Sequence, residues 1–295
     1  MSQYKGIVLA AGSATRLFPT TLAVNKQLLP IYDKPMIFFS LSVLMLADIR
    51  KILIIVREKD KKNFFELLGN GKDLGVDISY AIQKKPKGIA DAFKIGKNFI
   101  KKDNVALVLG DNIFYGHNLP DLLNSANKRN EGATIFAYHV LDPERYGVVE
   151  FDLQNRAVNL EEKPKSPKSN YAITGLYFYD KNAVEYAKQI KPSSRGELEI
   201  TDLNREYLKR ENLSVEIMGR GYAWLDTGTH RTLLEAHQFI QTIEHRQGLK
   251  ISCPEEIAFY KKWISADQLE SQARSMSKSD YGQYLMQILK EVHDS

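Results

Sequence analysis

The feature that most constrains the fold is an alternation of short apolar runs with helical patterns between Tyr4 and about Val140. Each run is short and nearly all apolar, which suits a strand buried on both faces of a parallel sheet. The predicted strands are YKGIVLA (4–10), KILIIVR (51–57), DISYAIQ (77–83), VALVLGD (105–111) and ATIFAYHV (133–140), and the helical patterns include IADAFKIGKNFI (89–100) and LPDLLNSANKRN (119–130). Strands that alternate with helices predict a Rossmann-like α/β fold, a mainly parallel sheet flanked by helices.

After Tyr146 the pattern changes to closely spaced strands, which predict antiparallel additions to the sheet. The segments are GVVEFD (147–152), AVNLEEK (157–163), YAITGLYFYD (171–180), the helical LEITDLNREYLKREN (198–212), LSVEIMG (213–219) and YAWLDTG (222–228). From Thr229 onward the signals are helical, with a capping start at Ser265 and Gln268. We therefore predict an α/β core over 1–228, divided near 140, and a helical C-terminal appendage over 229–295.

Composition restricts the class of protein. The 295 residues are 43% hydrophobic and 26% charged, which predicts a soluble globular chain with a large core, as one domain with an appendage or as two. The chain has 41 Lys and Arg residues against 36 Asp and Glu, which gives a net charge of +5. The basic residues are scattered along the sequence and do not form one tract, so we expect no nucleic-acid partner.

The apolar run from Met36 is shorter than the roughly 20 residues that span a bilayer, so we expect no membrane anchor. The chain enters a strand at once without a charged leader, and its single cysteine, Cys253, excludes an internal disulfide. We expect a cytoplasmic protein.

The turn after the first strand, LAAGSATRLFPTT (9–21), is a candidate anion site. Main-chain N–H groups converge on anions in such turns, and Gly12 is followed by small residues. The offsets after Gly12 match neither a Walker loop nor a dinucleotide fingerprint. Arg16 and Lys26 are cations that could meet a polyphosphate, although an ordinary strand-to-helix turn with a solvated arginine explains the spacing equally well.

Two aspartates are candidate ligands of Mg²⁺. Asp111 follows a predicted parallel strand, where open sheets bind their ligands, although a turn or helix-capping role suits that position equally well. Asp226 follows the aromatic run of YAWLDTG, and nothing in the spacing pairs it with Asp111.

The sequence does not indicate a histidine or cysteine metal site or a covalent nucleophile. The six histidines show no metal-binding spacing, Cys253 has no cluster of partners, and no nucleophilic-serine elbow is present. Glu162 and Lys163 are neighbours in a predicted strand, so their side chains should point to opposite faces unless a bulge intervenes.

Taken in order, a set of long motifs resembles the glucose-1-phosphate thymidylyltransferase family over essentially the whole chain. The motifs are GSATRLFPTT (12–21), NKQLLPIYDKPM (25–36), LGDNIFYG (109–116), ERYGVVEFD (144–152), LEEKP (160–164), NYAITGLYFYD (170–180), RGELEITD (195–202) and GRGYAWLDTGTH (219–230). The resemblance implies a nucleotidyltransferase fold, with a nucleotide-binding part at about 1–140, a sugar-binding part at about 141–228, and a C-terminal part for oligomerisation.

The resemblance also implies an activity. The family converts dTTP and α-D-glucose 1-phosphate to dTDP-glucose and pyrophosphate with Mg²⁺, the first step toward dTDP-L-rhamnose and related sugars. A sugar phosphate, with a second pKa near about 6, is already anionic at neutral pH, so the reaction requires no general base. Cations that hold two repelling anions in line and neutralise the departing pyrophosphate are what the chemistry requires.

The resemblance implies the following site residues. The catalytic set is Arg16, Lys26, Asp111, Lys163 and Asp226. The nucleotide-binding set is Leu9, Ala11, Gly12, Arg16, Lys26, Gln27, Gln83, Pro86, Gly88 and Asp111. The sugar-phosphate set is Asn112, Tyr146, Gly147, Glu162, Lys163, Ile173 and Arg195, and the metal ligands are Asp111 and Asp226.

This chain has Ala11 and Ala14 where the family pattern has glycine. If residue 14 takes a positive φ, alanine there costs about 1 kcal/mol. Two alternatives stay open: a nucleotidyltransferase for UTP or another sugar phosphate, because Gln83 can hydrogen-bond uracil as well, and a nucleotide-sugar sensor without catalysis. The resemblance further implies a homotetramer and a separate site, near FYG and CPEEIA, for an inhibitory dTDP-sugar end product.

Overall fold

The computed structural model of the protein describes residues 4–293, with the side chains up to Glu291. The strands are β1 (Tyr4–Ala10), β2 (Pro30–Ile31), β3 (Lys34–Pro35), β4 (Lys51–Val56), β5 (Asp77–Ile82), β6 (Asn104–Leu109), β7 (Asn112–Gly116), β8 (Ala133–His139), β9 (Gly147–Phe151), β10 (Ala157–Glu162), β11 (Tyr171–Tyr179), β12 (Leu213–Met218) and β13 (Tyr222–Asp226). The helices are α1 (Ile37–Leu46), α2 (Lys61–Leu68), α3 (Asp91–Ile95), α4 (Lys97–Ile100), α5 (Leu119–Lys128), α6 (Ala183–Gln189), α7 (Ile200–Lys209), α8 (His230–Gln247), α9 (Pro254–Tyr260), α10 (Ala266–Ser275) and α11 (Asp280–His293).

A nine-stranded sheet forms the centre of the molecule. Strands β5, β4, β1 and β6 lie side by side and parallel, and β1 pairs with β4 on one edge and β6 on the other. The chain therefore runs outward from β1 in both directions, which creates a crevice between the carboxyl ends of β1 and β6. Open α/β sheets bind their ligands at such a point.

The second half of the sheet is mixed. Strand β11 runs antiparallel to both β6 and β8, and β12 is parallel to β8. The hairpin of β9 and β10 joins β11 through β9. The run at 133–140 is thus a strand as predicted, but it does not extend the parallel stack of the first half, because the antiparallel β11 separates it from β6.

Helices cover both faces of the sheet. One apolar cluster includes side chains from β1, α1, α5 and the C-terminal helices, and the other includes side chains from β6, α3, α6 and α7. Helix α1 is apolar around most of its surface because it lies between the sheet and α9.

The C-terminal helices share a core with the sheet. Tyr281 and Leu285 of α11 belong to the same buried cluster as Val8 of β1. The predicted start at Ser265 is confirmed, since Ser265 and Gln268 cap α10 reciprocally. Among the described residues, no helix is long and apolar enough to cross a membrane.

Candidate active site

A cavity of about 460 Å³ opens at the crevice where β1 and β6 end. Nine of the residues predicted for the site line it: Arg16, Asp111, Asn112, Tyr146, Gly147, Glu162, Lys163, Ile173 and Asp226. Residues from both halves of the sheet therefore meet at one opening.

The turn after β1 forms a tight structure. Ala14 has φ +51° and starts a 3₁₀ turn over Thr15–Leu17 that carries Arg16 to the cavity. The hydroxyl of buried Thr21 donates to the Ala14 carbonyl at 2.8 Å and holds the turn closed. Residue 14 therefore takes the positive φ at which alanine is expected to cost about 1 kcal/mol relative to glycine. A Cβ at Gly12 would meet nothing within 4 Å, so the space above this residue is open.

Lys26 reaches the site because Asn25 fastens its loop to the end of β1. The Asn25 amide donates to the Ala10 carbonyl at 3.2 Å, and its oxygen accepts from the Gln27 N–H at 2.9 Å. The Lys26 side chain is 6% exposed, and its Nζ lies 2.5 Å from Asp111 Oδ2. The buried ammonium is therefore fixed beside one of the two predicted metal ligands.

The pairing of β7 with β13 brings the two aspartates together. It sets Asp226 opposite Asn112 and therefore next to Asp111. Burial raises the pKa of Asp226, and the Asp111 carboxylate raises it further. Burial acts on Asp111 in the same direction, but the Lys26 ammonium and hydrogen bonds from Lys26 and Asn112 outweigh it and hold that pKa below its ordinary value.

The carboxylate pair fits a divalent cation. Two adjacent carboxylates repel each other, as the raised pKa of Asp226 indicates, and a cation between them would relieve that repulsion. Among the described side chains, residues 4–291, no three His, Cys, Asp or Glu form a group that could hold a metal. Two hard oxygen ligands from protein, completed by phosphate and water oxygens, are what Mg²⁺ prefers.

Asn112 fixes the orientation of the Asp111 side chain. Its Oδ1 accepts from the Gly175 N–H at 3.0 Å and from Trp224 Nε1 at 2.6 Å, while its Nδ2 donates to Asp111 Oδ1 at 3.0 Å. A side chain at position 175 would collide with that amide, because a Cβ would lie 2.5 Å from Asn112 Oδ1.

Glu162 and Lys163 line the same cavity although they are neighbours. Strand β10 ends at Glu162, and Lys163 takes φ +45° outside the strand, so the expectation of opposite faces is wrong. Glu162 Oε2 accepts from the buried Thr201 hydroxyl at 2.5 Å. Gly147 lies against this pair, and a Cβ there would be 2.9 Å from Thr201 Oγ1.

Arg195 lies beside this group within a set of carboxylates. Its Nη2 is 2.9 Å from Glu199 Oε2, 3.0 Å from Glu197 Oε2 and 3.5 Å from Glu162 Oε1. Ile173, 6% exposed, supplies an apolar wall of the cavity.

Gln83 and Gly88, which are predicted to contact the nucleotide base, do not line this cavity. Gln83 is buried and donates to Asp91 Oδ2 at 3.0 Å. Gly88 has φ +98°, and a Cβ there would lie 2.4 Å from the Leu198 carbonyl oxygen, so this position requires glycine. Four other residues predicted to bind the nucleotide also lie outside the cavity wall: Leu9 near the end of β1, buried Ala11, exposed Pro86, and buried Gln27, whose Oε1 has no hydrogen-bond partner among the described residues.

Several residues of the cavity wall were not predicted from the sequence. Arg145 forms an ion pair with Asp226 at 3.4 Å, and Thr201 positions Glu162. Tyr177 and Trp224 also line the cavity. Arg145 lies within ERYGVVEFD and Thr201 within RGELEITD, so the motifs contained them, but a side chain's partner cannot be read from a motif.

The fold and the site together define an α/β nucleotidyltransferase. The family model described as nucleotidyl transferase matches residues 5–243, and the chain belongs to this family. The chain is 60% identical over 287 residues to the glucose-1-phosphate thymidylyltransferase of Neisseria meningitidis serogroup A, with 97% of this chain and 100% of that protein covered. The protein of the same name from Xanthomonas campestris pv. campestris strain B100 is 58% identical over 290 residues, with 98% of each covered.

A solved structure is similar as well. A Bacillus anthracis protein, assigned as a glucose-1-phosphate thymidylyltransferase and solved in complex with sucrose, has a TM-score of 0.76 and 39% identity, and it covers 86% of this chain and 99% of that one. The predicted fold class and family resemblance are confirmed.

Proposed function

We propose that this nucleotidyltransferase transfers the thymidylyl group of dTTP to α-D-glucose 1-phosphate, giving dTDP-glucose and pyrophosphate. The relatives' names supply the substrates. The observation that carries the proposal is that the carboxylate pair Asp111 and Asp226 opens on the same cavity as Glu162 and Lys163. The proposed phosphate-binding end and the proposed sugar-binding end therefore share one opening.

At the nucleotide end, Arg16 and Lys26 bind the triphosphate. Lys26 is buried and already fixed by Asp111, so its charge costs little to orient when the substrate arrives. The open space above Gly12 lets main-chain N–H groups of the turn approach phosphate oxygens. The proposed readers of the thymine edge are Gln83 and Gly88, in a loop held against Leu198 by main-chain hydrogen bonds of 2.7 and 3.1 Å.

At the sugar end, Glu162 accepts hydrogen bonds from sugar hydroxyls, and Gly147 beside it carries no side chain that would crowd Thr201 and Glu162. Thr201 keeps Glu162 in place, and Ile173 contacts the apolar face of the sugar. Lys163, whose side chain is 45% exposed, reaches the sugar phosphate from the rim. Arg195, whose guanidinium is oriented by its ion pair with Glu199, also binds the sugar phosphate.

The chemistry needs orientation and charge more than acid–base groups. The sugar phosphate is already a nucleophile at neutral pH. The cationic side chains hold it in line with the α-phosphorus against the repulsion between the two anionic substrates. These cations are Arg16, Lys26, Lys163 and Arg195. A Mg²⁺ ion held by Asp111 and Asp226 would neutralise charge on the phosphates. We place the reaction in the cytoplasm, as the first step of dTDP-rhamnose and related sugar synthesis.

A pyrophosphate-release assay tests the proposal. The enzyme is supplied with dTTP or UTP, each with glucose 1-phosphate or another sugar 1-phosphate, and the product is identified by ³¹P NMR. We expect the highest kcat/KM for dTTP with glucose 1-phosphate, and loss of the signal in an Asp226→Asn preparation, which controls for contaminating enzymes. A higher kcat/KM with UTP or another sugar would support the alternative nucleotidyltransferase, and nucleotide-sugar binding without turnover would support the sensor.

A second cavity, of about 430 Å³, favours an additional regulatory function. It is lined by Phe114, Tyr115 and Gly116 of β7 and by Cys253, Glu256 and Ile257 at the start of α9, the two motifs predicted for an end-product site. We propose that a dTDP-sugar end product binds there and inhibits the enzyme, and that the enzyme is a homotetramer.

Truncation of the C-terminal helices is a poor test of this regulation, because α11 shares the core of the sheet and its removal would expose that core. A point substitution is sharper. Ile257→Gln should weaken inhibition by dTDP-rhamnose while the uninhibited turnover stays the same, and Leu249→Gln, at an exposed residue outside the cavity, is the matched control. Light scattering gives the oligomeric state. Unchanged inhibition in Ile257→Gln would contradict the assignment.

A further inference from the structure

Arg145 occupies an unusual position in the wall of the active-site cavity, between two carboxylates on different elements. Its Nη1 lies 2.6 Å from Asp142 Oδ2, and its Nη2 lies 3.4 Å from Asp226 Oδ2. The guanidinium carbon is 5.2 Å from the centre of the Tyr146 ring. Among the described residues, Arg145 is the only cation within ion-pair distance of Asp226.

Each carboxylate at the metal site already has a cationic partner before any ligand binds. Lys26 pairs with Asp111 and Arg145 pairs with Asp226, and the Arg16 guanidinium in the same cavity also acts on Asp226, so at least two cations face the two carboxylates. A dication that entered alone would meet these fixed positive charges and would leave an excess of at least about two positive charges in a partly buried site. A dication that arrives with a polyphosphate brings the compensating negative charge with it.

We propose that Arg145 is the counter-ion of Asp226 in the substrate-free enzyme, and that a divalent cation binds well only when phosphate oxygens arrive with it and release Asp226 from this pair. The inference rests on the proposed metal site. It adds a positioning role for Arg145 that makes metal binding depend on the nucleotide.

The other contacts of Arg145 keep it at the site after the exchange. The short pair with Asp142 and the contact with the Tyr146 ring do not involve Asp226, so they persist when the metal takes that carboxylate. The freed Nη2 donor then remains in the cavity wall, where it can donate to a phosphate oxygen. Arg145 therefore opposes the metal alone and favours the metal together with nucleotide.

Mn²⁺ binding, followed by electron paramagnetic resonance of the free ion, separates these two effects without turnover. For the Arg145→Gln variant without nucleotide, we expect Mn²⁺ to bind about tenfold more tightly than to the unsubstituted enzyme, because a repelling unit charge has gone. With dTTP present and no sugar phosphate, we expect the Mn²⁺–dTTP complex to bind about tenfold more weakly, because a charged donor to phosphate is lost.

The two affinities should change in opposite directions, which identifies the counter-ion role, because a purely structural defect would weaken the binding of both Mn²⁺ alone and Mn²⁺–dTTP. Arg145→Lys keeps the charge and should bind Mn²⁺ alone like the unsubstituted enzyme. Arg205→Gln is the matched control, because Arg205 also pairs with the carboxylate three residues before it, at 2.7 Å, with 36% of its side chain exposed against 32% for Arg145. It should change neither affinity.

Equal or weaker binding of Mn²⁺ alone to Arg145→Gln would overturn the proposal. So would tighter binding of Mn²⁺ alone accompanied by unchanged binding of the Mn²⁺–dTTP complex. Failure of the proposed function gives a different result, namely no binding of Mn²⁺–dTTP to the unsubstituted enzyme and no pyrophosphate release.

Discussion

Two clusters of nearly the same composition lie in this molecule, and they differ in how far they open: three members of one line the active-site cavity, whereas only Lys250 of the other lines a cavity, the second one. The open cluster consists of Lys26, Asp111, Arg145 and Asp226, and the sealed cluster consists of Asp33, Lys34, Glu244 and Lys250. Each has two cations and two carboxylates. The sealed cluster lies where the β2–β3 hairpin meets the end of α8, with the Lys34 side chain 1% exposed.

The two clusters differ in how completely their charges are paired. In the sealed cluster each carboxylate contacts both lysines, with Lys34 Nζ 2.6 Å from Asp33 and 2.7 Å from Glu244. In the open cluster each carboxylate has one cationic partner within ion-pair distance among the described residues.

The pKa directions follow this difference in pairing. Burial would raise the pKa of Asp33, but the two lysines lower it below its ordinary value. The pKa of Asp226 stays raised by burial and by its neighbouring carboxylate. A cluster that satisfies all its own charges stabilises the fold, whereas one that leaves a carboxylate under-compensated has room for a ligand.

The largest effect should come from removing a carboxylate of the open cluster. Asp226→Asn should lower kcat by about 10²–10⁴-fold, because the pyrophosphate-forming step would lose a ligand of the proposed metal. The free energy of unfolding without metal should not fall at neutral pH, because a carboxyl group with a raised pKa opposes folding when it is ionised. Steady-state kinetics and urea unfolding measure the two quantities.

A double-mutant cycle with Asp111→Asn sharpens this test. Ligands of one ion act as a unit, so the second substitution should add little to the loss caused by the first. Fully additive losses, or undiminished turnover in EDTA, would mean that the two aspartates do not share a catalytic metal.

In the sealed cluster the same kind of change should act on folding. Lys34→Met leaves buried carboxylates without their cation and should lower the free energy of unfolding by about 3–5 kcal/mol. Lys188→Met is the control, because Lys188 forms an exposed pair with Glu185 at a similar 2.6 Å and should cost about 1 kcal/mol or less. The turnover of the folded fraction should stay unchanged. Equal costs for the two variants would refute the structural role of the sealed cluster.

A smaller effect is expected at the rim of the open cavity. Lys163→Ala should raise the KM for glucose 1-phosphate by an amount equivalent to roughly 1.5–3 kcal/mol, because a charge-assisted hydrogen bond to phosphate is lost. The KM for dTTP should change little. Lys165→Ala is the matched control, since Lys165 is exposed two residues further on and does not line the cavity. If the variant loses affinity for dTTP instead, the role assigned to Lys163 is wrong.

The smallest effect concerns Glu256, close to the sealed cluster. Burial raises the pKa of Glu256 from 4.5 to about 7; a hydrogen bond with Tyr284 opposes this rise, and the Glu244 and Glu291 carboxylates add to it. The folded protein then holds a proton that the unfolded chain has lost. The resulting stability is complete below pH 4.5 and disappears as the pH rises through about 7.

Glu256→Gln should remove this dependence on pH. Between pH 4.5 and 7, the free energy of unfolding should fall by roughly 1–3 kcal/mol more in the unsubstituted protein than in the variant. Urea unfolding at several pH values measures the difference, and Glu66→Gln, at an exposed carboxylate of α2, is the control. Parallel pH profiles for Glu256→Gln and the unsubstituted protein would contradict the buried, protonated state.

Much of the fold could be predicted because its signals are local. The apolar runs at 4–10 and 51–57, the helical periodicity at 119–130 and the capping pair Ser265 and Gln268 each correspond to an element of the structure. The motifs also identified nine residues of the cavity wall. The direction of β11, which separates β8 from the parallel strands, could not be predicted, because strand pairing depends on distant partners.

The site itself required the tertiary structure. The sequence contains Asp111 and Asp226, but only the ladder between β7 and β13 makes them neighbours. It contains Glu162 next to Lys163, but the positive φ of Lys163 turns both toward one cavity.

The sequence by itself determined which elements form and which charged groups are available, because hydrophobic periodicity and turn chemistry act over a few residues. The tertiary structure decided which charges meet, which of them are sealed from solvent and which face a ligand. Those outcomes depend on burial and on contacts between segments far apart in the chain, and the same lysine and carboxylate residues can therefore stabilise a core or bind a substrate.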